Sequence, residues 1–144
     1  MRRPILMILL ALISSNAMAQ WIQVDHNSEF TTYANHSSIR KHGHFAKMMS
    51  MYDYKTVQTN MTDSFLYRST QQQGEYDCKK EASRMLASSL HSKKMGKGRV
   101  VHYKSRPLEW MTVSPKGIDE TLWKIACSKT QTHQLQQMSD QRQR

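Results

Sequence analysis

Seven histidines, two cysteines and a dense run of cations are the residues whose types could do chemistry. His42-x-His44 has the closest spacing to a ligand pair, on one face of an extended segment. Two histidines without a third ligand at a known spacing do not make a metal site, and these two sit beside Arg40 and Lys41 in a basic turn. No H-E-x-x-H, G-x-S-x-G or phosphate-loop pattern is present. The acids Asp53, Asp63, Glu75, Asp77, Glu81, Glu109, Asp119 and Glu120 are scattered, with no pair singled out for acid-base work. The expectation is therefore a non-enzyme with no metal and no cofactor. A small periplasmic hydrolase or nuclease remains the alternative. It would use His42, His44, His91 or His102 and requires several of them to converge with an acid in one cleft.

The cations are more concentrated. Lys93, Lys94, Lys97, Arg99, Lys104 and Arg106 follow one another with no acid between Lys93 and Arg106. Gly96 and Gly98 let the backbone turn tightly inside the run. The sharper reading is a polyanion-binding hairpin with Tyr103 available for stacking. The blander one, a solvated hairpin of ordinary lysines, is the favoured of the two. On either reading these side chains are expected to be solvated. No nucleic-acid-binding motif accompanies the run.

The segments that must position these groups follow an export signal. Arg2-Arg3, the apolar run Ile5 to Ile13 and Ala17-Met18-Ala19 read as a cleavable secretory peptide over 1–19. The run is too short to span a bilayer. Removing Arg2 and Arg3 from a chain of net charge +10 leaves it strongly basic. An oxidising compartment favours one bond between Cys78 and Cys127 over a reactive thiol or a metal pair. No cysteine stands at the cleavage site, so a periplasmic or secreted placement is expected rather than a lipid anchor.

From Gln20 to Ser128 the chain reads as one β-rich domain, and the Gln-rich stretch 129–144 as a disordered tail. Trp21–Val24 and Phe30–Ala34 are strand candidates, the second broken by Asn35–Ser38. His44–Lys55 is the longest, apolar on both faces and hence central. Ser64–Gln71 alternates, and Gln72-Gln73-Gly74 reads as a turn before Tyr76. Lys79–Ser92 prefers helix by local propensity. Arg99–Tyr103 and Leu108–Val113 are short extended pieces. Ser114-Pro115 reads as an N-cap and first helical residue. Ile118, Leu122, Ile125 and Ala126 form an apolar stripe ending near Cys127, which must pack on the sheet.

Several pieces occur in a recognisable order: the Trp21 strand, Tyr52-Asp53-Tyr54-Lys55, Glu75-Tyr76-Asp77-Cys78, Met95-Gly96-Lys97-Gly98 with Val100-Val101, Trp110, and Leu122-Trp123-Lys124 through Cys127. This order resembles the bacterial surface-adhesin protein E family. The resemblance implies an α+β domain with a meander-like antiparallel sheet, a C-terminal helix packed on it, bonded cysteines and no enzymatic activity. It implies host extracellular-matrix protein as a partner class, with acidic glycan a further candidate for so basic a chain. It also implies that Arg84–His91 is a strand, against local propensity.

Overall fold

The computed structural model describes residues 21–128. The expected export segment 1–19 and the tail 129–144 lie outside the described residues. Seven strands and one helix follow in order: β1 (Trp21–His26), β2 (Phe30–His42), β3 (Phe45–Thr59), β4 (Leu66–Asp77), β5 (Ala82–His91), β6 (Val100–Lys104), β7 (Met111–Thr112) and α1 (Ile118–Cys127). Each of β1 to β6 pairs antiparallel with its sequence neighbour. The α+β meander is thus the observed fold.

Short polar side chains make the connections. Asn27 Oδ1 accepts the amides of Glu29 and Phe30 at 2.8 and 2.9 Å. Asn60 Oδ1 does the same for Thr62 and Asp63, and Asp77 Oδ1 for Lys79 and Lys80. Such side chains mimic a backbone turn. The fourth hairpin, between β2 and β3, turns at Gly43, whose φ of +58° suits glycine.

Three local expectations need correction, and one reading with two alternatives is decided. Asn35–Ser38 does not end β2. It is a bulge, with the register to β3 shifting between Asn35 and Arg40. Hydroxyls satisfy the irregular backbone: Ser38 Oγ donates to the Asn35 carbonyl and accepts from the Met49 amide. Gln72–Gly74 is no turn either, because all three residues pair with both β3 and β5 in the middle of β4. Gly74 is there for space: a Cβ would lie 2.6 Å from the Tyr76 hydroxyl. Lys79–Ser92 holds strand β5, as the resemblance implied, since pairing on both edges outweighs a weak helical propensity. Finally, α1 begins at Ile118 with Gly117 as N-cap. Lys116 adopts a left-handed φ of +59°, so the chain turns after Pro115 and the helix cannot start there. Glu120 accepts the Lys116 amide at 2.6 Å in place of a serine cap.

Strands β6 and β7 both pair with β5. They are two parts of one edge run, interrupted around Pro107, which has no amide to give a ladder. Leu108 keeps the interruption attached by donating to the Met85 carbonyl.

The apolar core lies between α1 and one face of the sheet. Ala34, Ala46, Met48 and Tyr76 meet Leu122 and Ala126. Cys78 and Cys127 are bonded, tying the end of α1 to the β4–β5 turn. Trp123 Nε1 donates to the Asp77 carbonyl at 3.0 Å beside that bond. Among the described residues no helix is long and apolar enough to cross a membrane.

Candidate functional site

Strand alternation sends Met51 and Asp53 to the opposite face from Ala46 and Met48. On that opposite face the basic loop lies against the sheet. A short 3-10 turn, Lys94–Gly96, crosses β3 and β4. Asp53, buried at 5% exposure, accepts the Met95 amide at 2.7 Å and faces Lys94 Nζ at 3.4 Å. Ser69, fully buried, donates to the Lys93 carbonyl at 2.6 Å and accepts from the Gly96 amide at 2.9 Å. Met95 adopts φ +57°, a conformation that costs a side-chain-bearing residue ~1 kcal/mol, and the bond to Asp53 holds it there. Gly96 and Gly98, at φ +67° and +77°, complete the turn.

The loop is therefore fixed by two side chains from the sheet that sequence reading did not single out. One signal was available. An aspartate in the middle of a central strand is disfavoured there and needs a buried partner.

The six cations divide. Lys93, Lys97 and Arg99 are exposed on the loop, and the described ion pairs do not include them. Lys94 is exposed as well, but its ammonium also pairs with the buried Asp53. Lys104 and Arg106 are exposed but sit past the far end of β6. Five residues at ~3.3 Å each put that end roughly 13 Å along the edge from Val100. Tyr103 is 63% exposed between the two groups.

The four candidate histidines do not converge in one cleft. His44 and Asp77 lie 3.8 Å apart at one end of β4. His91 pairs with Ser69 near the other end, eight residues away, or roughly 26 Å by strand rise. It is buried, bonds Ser89 Oγ at 2.8 Å, and burial lowers its pKa. His102 stacks on Phe65 at 5.3 Å. His42 is exposed at the end of β2. Among the described residues no three histidines, cysteines or acids are grouped to hold a metal.

A family model described as surface-adhesin protein E matches residues 21–128, the whole sheet and helix. The chain belongs to the surface-adhesin protein E family. Solved structures of Haemophilus influenzae protein E have the same fold. Its selenomethionine form is 13% identical with a TM-score of 0.56, covering 74% of this chain and 91% of that one. A second crystal form is 12% identical with a TM-score of 0.56, covering 74% and 96%. Protein E from non-typeable Haemophilus influenzae is 11% identical with a TM-score of 0.54, covering 78% and 87%. A search of curated protein sequences finds no match.

Proposed function

We propose that this chain is an exported, non-catalytic binding protein of the cell envelope. It adheres through Lys93, Lys97 and Arg99 to an acidic matrix protein or sulfated glycan of a host. The supporting observation is the pinned loop: three exposed cations held on a backbone that Asp53 and Ser69 fix from below. A loop already ordered loses less entropy when it binds. Lys104 and Arg106 extend the positive field along the β6 edge. Membership of the surface-adhesin family supports the adhesive role.

The test is retention on immobilised heparin and on an acidic matrix protein. Replacing Lys93, Lys97 and Arg99 together by serine, with Lys94 left in place, should lower retention severalfold at physiological salt. The wild-type interaction should weaken further as salt rises. Thermal stability should stay within about 0.5 kcal/mol, since the three side chains are exposed. Unchanged retention would put the adhesive surface elsewhere. Probing intact source cells with an antibody tests the placement, and a protein reached only after the outer envelope is opened would argue against host adhesion.

A further inference from the structure

On the helix side of the sheet, away from the basic loop, is a cavity of about 300 Å³. That volume lies at the lower end of the range for small-ligand sites. Its floor is formed by β3, β4 and β5, one wall by the first turn of α1, and its rim by the strap between β6 and β7. Tyr52 and Tyr76 stand on the floor. The Tyr76 hydroxyl lies directly over Gly74, where no Cβ obstructs it.

Burial pushes the Tyr52 phenol up to about 12, and the carboxylate of Asp119 adds to the shift. Burial raises Tyr76 further, with Tyr52 and Asp119 contributing. Asp119 shares the cavity lining with both rings, which stay neutral.

Charge in the cavity has the opposite sign to that of the chain. Asp119 and Glu109 line it, and neither is in an ion pair among the described residues. The one cationic residue in the lining, Arg84, bonds Glu75 Oε1 at 3.0 Å and stacks over Trp110. Glu75 alternates with Tyr76, so this pair occupies the other face of the sheet. On the rim, beside Glu109, two apolar side chains are open to solvent, Leu108 at 41% and Met111 at 70% exposed. A carboxylate outside the described ion pairs, two neutral phenol rings and the apolar side chains of Leu108 and Met111 together favour a cation that carries a hydrocarbon body.

We infer that this cavity binds a small organic amine, its ammonium beside Asp119 and the two phenols and its apolar portion against Leu108 and Met111. The site is independent of the adhesive loop.

Phenethylamine is a suitable probe, with 3-phenylpropanoate and 2-phenylethanol as the anionic and neutral counterparts. Titration of the isotopically labelled full chain, followed by amide NMR, should shift Gly74, Tyr76, Met111 and Asp119 with the amine only. Asp119→Asn alters a solvent-exposed position on the first turn of α1. It should weaken the amine by about tenfold, the worth of one charge-assisted contact, while the remaining amide spectrum stays in place. Tyr52→Phe should weaken it less. Absence of shifts up to the solubility limit of the amine would overturn the inference. So would equal binding of the carboxylate, or undiminished binding by a folded Asp119→Asn chain.

Discussion

The two faces of the sheet are covered in different ways. One is closed by α1 through aliphatic contacts and a covalent bond, with Ala34, Ala46, Met48, Leu122 and Ala126 at its centre. The other is closed by a loop of cations attached through a buried carboxylate and a buried hydroxyl. Apolar burial is non-directional and tolerates small shifts. Hydrogen bonds to a buried acid are directional and fail once a partner is removed. The helix face suits stability, and the loop face suits presentation of charge at a set position.

The largest change should come from opening the helix face. Serine at both Cys78 and Cys127 removes a crosslink between residues 49 apart. The chain-entropy model gives roughly 4 kcal/mol for such a loop, as an upper figure. Urea unfolding of oxidised wild type and the double variant measures it. A loss near zero would mean that aliphatic packing alone closes that face.

A smaller loss is expected on the loop face. Asp53→Ala leaves the Met95 amide and Lys94 without their acceptor and should cost about 2 kcal/mol. Amide exchange at Met95 and Gly96 should accelerate far more than exchange at Leu122 or Ala126. Equal acceleration on both faces would mean that the two coverings form a single cooperative unit. Asp53→Asn, which keeps one acceptor, should fall between.

The smallest expected effect is on pH. Burial acts to raise the pKa of Asp77, but the amides of Lys80 and Lys79 and the charges of His44 and Lys80 outweigh it and lower the value. A carboxylate depressed in the folded state contributes stability above its unfolded value, near pH 4, and that contribution is lost as pH falls through the lower folded value. Stability of the wild type should thus decline in that acid window, and Asp77→Asn should show a shallower decline. Parallel curves would remove Asp77 from the acid response.

The helix face was legible because its signal is periodic. The stripe Ile118, Leu122, Ile125, Ala126 demands a partner, and two cysteines in a chain expected to be exported suggest their bond. The loop face was half legible. The run of cations and the glycines at 96 and 98 marked a turn, but its attachment rests on Asp53 and Ser69, distant in sequence and ordinary in type. Lys94 therefore looked like its neighbours, although its ammonium pairs with a buried carboxylate. The start of α1 was misplaced for a related reason. Ser114-Pro115 has the composition of a helix start, yet Glu120 caps from within and the turn at Lys116 intervenes. Gly74 has the composition of a turn and is a space for a phenol. The amine cavity left no local pattern, since its walls come from β3, β4, β5, the strap and α1.

The order β1-β2-β3-β4-β5-β6 has a kinetic consequence. Every ladder between these strands joins sequence neighbours, so each can close as a hairpin without waiting for a distant segment. Contact order is then low for a sheet protein, and folding is correspondingly quick. The exceptions are the loop at Lys94–Gly96, which must reach Asp53 on β3, and α1, which is synthesised after all the strands and must find β1 to β3 across most of the chain. In the oxidised chain that search begins from a tether at the β4–β5 turn. The reduced chain has no tether, and its helix should dock more slowly although the hairpins form at the same rate.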